Sequence, residues 1–321
     1  MRKVWLLAVL ACTLAGCSSN NDQAAQPTPQ QNGQADKATA DTGNAAADTG
    51  NAAAEEETNA GAKADEEEAS ESAMNREKLG KGAFAFADET GKRLITIGDT
   101  EAKKDHYDLA VGSNGAVLKV KFEKKQASDA EDTSRQSMYN FDHIAGHVYS
   151  VAEGEAQPDD TYLMTTSDVW LPGAALAIDA AGHGQPVDEK VVQAVEAKKQ
   201  RGVLQGGKIA DIGADSALYL IQFERQEDDM LASLVLARGN ELLFCDFPAT
   251  YEPSSTWRVD DGGEISVDQF ELMFAANTDK GLVLSVNWLG AEGITSFFIG
   301  EEGESGLKRL DIGVARYTAP L

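Results

Sequence analysis

The sequence predicts a mainly β protein. Antiparallel, meandering sheets would form a sandwich or a barrel, with a propeller as the remaining arrangement, and one helix near 187–201. Three observations lead there. Beyond residue 80 the apolar side chains mostly recur with period two, which places them on one face of a strand. The runs are short and end at Gly- and Asp-rich turns. A single segment breaks the pattern with helical spacing. The chain has 321 residues, is 42% hydrophobic, and can bury a sizeable core. Every aromatic side chain except Trp5 lies beyond residue 79.

The strands follow in order. Ala83-Phe84-Ala85-Phe86 leads through Asp88 to Gly91 into Leu94 to Ile97, a strand–turn–strand unit in which Gly91 can adopt positive φ. Val117 to Phe122 alternates apolar and basic residues. Ala217 to Phe223 and Leu231 to Ala237 flank a turn at Arg225 to Asp229, and Arg238-Gly239-Asn240 turns into Glu241 to Cys245. Asp260-Asp261-Gly262-Gly263 carries a tight-hairpin signature between Trp257–Val259 and Glu264–Val267. Phe270, Leu272 and Phe274 alternate, and Leu282 to Trp288 and Ile294 to Ile299 are further strands. No repeat is regular enough to count propeller blades, although Tyr219 to Phe244 and Leu284 to Leu307 share a strand spacing.

The helix is expected from Val187 to Arg201. Val191, Val192, Ala194 and Val195 fall on roughly one face. Asp188 and Glu189 stand near its start, Lys198, Lys199 and Arg201 near its end, and Gly202 follows as a C-cap. Its position suggests a body of two β-rich halves divided near 186–202.

The N-terminus carries a different message. Arg2 and Lys3 precede a twelve-residue run, Val4 to Ala15, too short for the roughly 20 residues that span a bilayer but suited to a secretory signal. Leu14-Ala15-Gly16-Cys17 then resembles the lipobox of bacterial lipoproteins at all four positions. The resemblance implies that residues 1–16 are a cleaved signal peptide and that the Cys17 thiol carries a diacylglycerol, leaving Cys17 as the mature N-terminus. It covers seventeen residues and implies nothing about the folded body. Ser18 stands where an Asp would act as an inner-membrane retention signal in Gram-negative lipoproteins, so the cell membrane and the outer membrane both stay open. Residues 17–79 read as a lipidated, disordered acidic tether. Residues 18–78 contain no Val, Ile, Leu, Phe, Tyr or Trp, and they include a tandem seven-residue repeat over 40–53. Such a linker reaches roughly 40–50 Å. The globular body is then 80–321.

Charge narrows the partners. The chain has 28 basic and 53 acidic residues, and the stretch from residue 80 on is itself net −18. This excludes nucleic acid, which needs clustered Lys and Arg, and a polybasic grip on anionic lipid. The membrane is expected to be reached through the lipid alone. An envelope protein or polysaccharide is the expected partner, with no nucleotide and no cofactor.

Local motifs for chemistry are weak. His143 and His147 have the i, i+4 spacing of a helical zinc site, but Ile144 replaces the needed Glu and the context favours a strand. His106 and His183 have no stronger claim. Gly202 to Lys208 matches a phosphate loop, yet Ile209 stands where Ser or Thr would hold magnesium, and a helix precedes it. Ser305 to Lys308 fits S-x-x-K inside a glycine-rich loop. Cys245, the only thiol left after Cys12 and Cys17 are accounted for, falls on a strand as a core residue. Asp159-Asp160, Asp228-Asp229 and Asp260-Asp261 sit in turns that could hold calcium or simply form the turn. Trp170, Trp257 and Trp288 could line a sugar site or fill the core. No catalytic or metal residue is assigned, and Cys17 as the lipid attachment point is the one assigned site. The expected role is a lipid-anchored extracytoplasmic protein that binds or supports something at the bacterial envelope. A hydrolase with a dispersed active site, or a calcium-steadied adhesion or accessory module, are the alternatives.

Overall fold

The computed structural model describes residues 73–98, 107–303 and 306–319. The lipobox, Cys17 and most of the expected tether lie outside the described residues. The described fold is mainly β and antiparallel, with one helix longer than two turns.

The first six strands are β1 (Ala83–Ala87), β2 (Arg93–Thr96), β3 (Leu109–Val111), β4 (Val117–Gln126), β5 (Gly146–Glu153) and β6 (Thr161–Thr165). They close a barrel in the order β1-β2-β5-β4-β3-β6, with β6 pairing back onto β1. Alternation on β1 sorts its side chains. Ala83, Ala85 and Ala87 point inward, and their small size leaves room for Tyr107, Tyr149, Tyr162 and Met164. Phe84 and Phe86 point outward into two other clusters. The β1–β2 turn forms as the sequence requires. Gly91 adopts φ 65° and a Cβ there would strike the Ala156 carbonyl. The Asp88 carboxylate accepts from the backbone N–H groups of Thr90, Lys92 and Arg93.

The rest of the body is two stacked meanders. β7 (Ile178–Asp179), β8 (Val203–Ile212), β9 (Ser216–Phe223), β10 (Asp229–Arg238) and β11 (Glu241–Thr250) form one sheet in sequence order. β12 (Phe270–Thr278), β13 (Gly281–Gly290), β14 (Gly293–Glu301) and β15 (Leu307–Tyr317) form the other. Leu218, Leu220, Leu234 and Leu236 of the first sheet meet Leu284, Val286, Phe297 and Ile299 of the second in a shared core. The opposite face of the four-stranded sheet is covered too. Phe274, Val283 and Phe298 pack on Phe84, Val111, Leu163 and Trp170 from the barrel side. This sheet is therefore the middle layer, which explains why Leu282 to Trp288 is buried continuously instead of alternately.

The edge strand β12 is also covered. Met74 bridges Thr278, Ala175 bridges Ala276, and Leu176 N–H donates to the Ala275 carbonyl at 2.9 Å. Arg316 on β15 fastens the middle sheet to the barrel loops. Its guanidinium, fully buried, donates to the carbonyls of Gln136 and Asp159, to Thr161 Oγ1 and to Asp159 Oδ1, and lies over the Phe86 ring.

Four expectations are corrected. The body begins at or before residue 73, not at 80. Met74 and Leu79 are fully buried against the middle sheet, and the short helix α1 (Arg76–Leu79) is capped by Asn75. The body does not divide near 186–202. The helix there, α2 (Glu189–Lys199), connects β7 to β8 of one sheet, and its Val191 and Val195 cover that sheet's outer face. The architectural boundary instead follows β6. Gly202 is not the C-cap, because Gln200 takes the left-handed position at φ 52°. Finally, residues 257–267 form no hairpin. Asp261 accepts from the N–H groups of Thr256, Trp257, Arg258 and Gly263, which gathers the segment into a loop. Among the described residues no helix is long and apolar enough to cross a membrane.

Candidate functional site

A cavity of about 590 Å³ lies in the seam between the barrel and the two sheets. Its barrel wall comes from the tight turn between β3 and β4 (Ser113, Asn114, Ala116) and the loop from β5 into β6 (Glu155, Gln157, Asp160, Tyr162). Its opposite wall comes from the loop after β7 (Ala180, His183), from Ile209 and Ala210 on β8, and from Asp268, Glu271 and Leu272 at the start of β12. A volume of this size suits a small ligand.

Local sequence holds each wall in place. Asn114 takes the left-handed conformation at φ 58° that an Asn tolerates, reversing the chain at the barrel rim. A capping box presents Asp268. Ser266 Oγ accepts from Asp268 N–H at 3.3 Å, and Ser266 N–H donates to Gln269 Oε1 at 3.1 Å. The His183 loop is pinned by its own N–H on Ala180 O and by Gly184 N–H on Lys208 O, both 2.9 Å. His183 Nε2 lies 3.9 Å from Asp268 Oδ1. Tyr162 Oη accepts from Gln157 N–H at 2.8 Å, and burial pushes its phenol up to about 12.

The electrostatics are one-sided. Glu155, Asp160, Asp268 and Glu271 face the cavity, and no Lys or Arg is among its described lining residues. Asp160 is pushed up to about 6, first by burial and then by the nearby charge of Glu271. Arg316 and the Ser113 hydroxyl pull the other way without cancelling this. Asp160 thus keeps its proton to a higher pH than an ordinary carboxyl. His183 is the one histidine among the described lining residues.

Two groups singled out in the sequence, Asp160 and His183, converge on this cavity. The others do not. His143 donates its Nδ1–H to the Asp129 carboxylate, 3.0–3.1 Å away, from a half-exposed turn, whereas His147 is buried on β5 beside the Phe122 ring. Most of the Gly202–Lys208 stretch is β8 itself, and Lys208 is paired with Asp211, so the strand–loop–helix order of a phosphate site is absent there. Cys245 is buried in the shared core, and burial pushes its thiol up to about 11. Trp170 packs edge-on against Phe274, Trp288 stacks on Phe270, and Trp257 donates its indole N–H to the Phe247 carbonyl. None of the three tryptophans lines the cavity.

The paired acids are mostly taken by protein donors. Asp159 receives Arg316 and the Met138 N–H, and Asp229 receives Arg201. Burial alone would raise the Asp261 carboxyl, but its backbone N–H bonds hold it below the usual range. Among the described residues no three His, Cys, Asp or Glu side chains are grouped to hold a metal ion. His106, Ser305 and Cys17 lie outside the described residues.

Sequence reasoning missed Glu155 and the pair Asp268 and Glu271, which lie more than a hundred residues apart in the chain. Their only sequence signal was the acidity of the body as a whole. Comparison of the chain with known protein families, curated proteins and solved structures finds no match. The fold and the cavity therefore define its class: an acidic protein of one β-barrel joined to a two-sheet stack, with a ligand-sized cavity in the seam.

Proposed function

We propose that this protein is a lipid-anchored binding protein on the extracytoplasmic side of a bacterial envelope. Cys17 carries the lipid, the acidic stretch before residue 73 is the spacer, and the seam cavity receives the ligand. The observation that carries the binding role is the cavity itself, a concave site walled by two packed bodies and left unfilled by the protein's own side chains. The lipobox resemblance supports the location.

Two experiments test the reading. Cys17→Ser should abolish labelling by a palmitate analogue; continued labelling overturns the anchor. A melting screen of envelope-derived small solutes should find one that stabilises the wild type and loses its effect in Ala116→Trp, which plugs the cavity mouth. Ligand at 100 times its dissociation constant adds about 2.7 kcal/mol, well within resolution. Stabilisers indifferent to Ala116→Trp would place binding elsewhere.

A second reading is favoured by one observation, the raised Asp160 beside Glu271. A carboxyl that keeps its proton to unusually high pH, with a second carboxyl close by, is an arrangement used by hydrolases that need a general acid. In that case Asp160 donates the proton, and Asp160→Asn abolishes turnover of an envelope glycan or ester substrate while binding persists.

A further inference from the structure

We infer that a second pocket, at the C-terminal end of β15, binds a glycan by one neutral, N-acetylated pyranose ring, stacked on Tyr317 and hydrogen-bonded by Arg258. This site is separate from the seam cavity and does not depend on it. The pocket, about 170 Å³, is assembled from three places in the chain. The β13–β14 turn gives Ala291 and Glu292, the paired strands β14 and β15 give Thr295 and Tyr317, and the loop before β12 gives Arg258 and Val259.

What stays exposed marks this pocket. Five large hydrophobic side chains are exposed among the described residues, and two of them, Val259 and Tyr317, rim it. Tyr317 is 53% exposed although its backbone is fixed. Its N–H donates to Gln136 Oε1 and its carbonyl accepts from Gln136 N–H, both at 2.8 Å. The next residue, Thr318, donates its N–H to the Glu292 carbonyl at 3.0 Å. A tyrosine ring held in water on a rigid strand end is a stacking platform that loses little freedom on binding.

Arg258 supplies a donor already in place. Its backbone N–H is held by the Asp261 carboxylate. Its guanidinium, half-buried, lies over the Trp288 ring and donates to the Trp288 and Gly293 carbonyls and to Thr295 Oγ1. That uses three of its five N–H groups. The Nε–H and one Nη2–H have no acceptor among the described residues, and no carboxylate there forms an ion pair with it. The pocket therefore carries a pre-positioned, partly desolvated donor with capacity left for a ligand.

Charge selects what enters. Arg258 repels a cation, and Glu292 together with the net −18 of the body repels an anion. A neutral molecule remains, one that offers acceptors to Arg258, a hydroxyl to the Glu292 carboxylate and an apolar face to a tyrosine ring. A pyranose has all three. Ala291 and Val259 add apolar surface for an acetamido methyl. The volume is below the ~300–1,000 Å³ of sites that enclose a whole drug-sized ligand, so one ring enters and the rest of the glycan stays outside.

The probe is tri-N-acetylchitotriose, titrated into the full chain in non-ionic detergent and followed by saturation-transfer NMR. Maltotriose, trigalacturonate and fully deacetylated chitotriose are the non-acetylated, anionic and cationic counterparts. The N-acetylated trimer should bind with transfer strongest at its acetyl methyl, maltotriose should bind more weakly, and the charged trimers should not bind. Tyr317→Ala should weaken binding about tenfold, whereas Tyr317→Phe, which keeps the ring, should stay within about threefold. Arg258→Lys keeps the charge, loses the planar fork and should weaken binding about tenfold. Tyr139→Ala removes a tyrosine that is just as exposed but outside the pocket, and should leave affinity within about twofold. An equal loss in Tyr139→Ala would reduce the effect to unspecific contact with surface aromatics and overturn the proposal. No binding of the N-acetylated trimer, or tighter binding of any counterpart, would overturn it as well. Binding that Ala116→Trp blocks and Tyr317→Ala leaves intact would move the sugar to the seam cavity, overturning this site while supporting that one.

Discussion

Replacing Arg316 by Met removes the fastening between the middle sheet and the barrel while keeping most of the side-chain volume. The wild-type guanidinium makes Nε–Gln136 O (3.1 Å), Nη2–Gln136 O (2.8 Å), Nη1–Asp159 O (2.6 Å), Nη1–Thr161 Oγ1 (2.9 Å) and Nη2–Asp159 Oδ1 (2.8 Å) bonds. Met supplies none of them. The carbonyls of Gln136 and Asp159 lose these donors at the seam, at about 1–3 kcal/mol for each one left without a partner. The Asp159 carboxylate is 31% exposed, so water recovers part of its loss. Volume is nearly conserved, so a cavity term adds little. The expected total is about 3–5 kcal/mol, the usual cost of removing one partner of a buried ion pair. Urea unfolding followed by tryptophan fluorescence and by circular dichroism measures it. The same experiment on Asp159→Asn should show a smaller loss, and the double variant should cost less than the sum of the two. A loss under about 1 kcal/mol for Arg316→Met would mean that the seam is held by apolar packing alone.

Three further outcomes follow from the geometry. Asp160→Asn should stabilise the protein at about pH 7 by about 1 kcal/mol: the native carboxyl is pushed up to about 6, so the native state binds the proton more tightly than the unfolded chain does, and solvent on the open side limits the gain. That advantage should vanish below about pH 4, where wild-type Asp160 is protonated in both states, and thermal melts across that range check it. Phe298→Ala should cost about 3–5 kcal/mol in urea unfolding, because the ring is fully buried with Phe84 and Phe274 at 6.1 and 5.4 Å. Cys245 should resist a thiol reagent until the protein unfolds; rapid labelling of the native state would contradict its burial and its thiol at about 11.

Local chemistry made much of this fold legible. Asp88 to Gly91 encodes its own hairpin through an Asp side chain and a positive-φ glycine. Asp188 and the basic last turn encode α2, period two exposes β4, and short apolar runs bounded by turn residues expose β9–β14. The closure of the barrel was not legible, because its order, with β5 between β2 and β4, depends on pairings between distant segments. Asp260-Asp261-Gly262-Gly263 misled for a specific reason. Asp261 satisfies four backbone donors around itself and so competes with strand pairing. Met74 misled because its neighbours have tether composition, while its burial depends on Thr278 two hundred residues later. The cavity was invisible for the same topological reason. Its lining comes from five segments, and only folding makes them neighbours.

The middle sheet has a consequence for the history and handling of this chain. A sheet with one wet face can be inherited, transplanted or expressed with only its own partner, but the central strands of this one are covered on both faces. Removing residues 73–165 would bare Phe274, Val283 and Phe298 on one side, and removing β7–β11 would bare Leu284, Val286 and Phe297 on the other. Either fragment would present an apolar surface prone to self-association. The barrel and the stack are thus geometrically distinct but not separable parts. Fragments cut between β6 and β7 should precipitate, and gene rearrangement would have to move the two together.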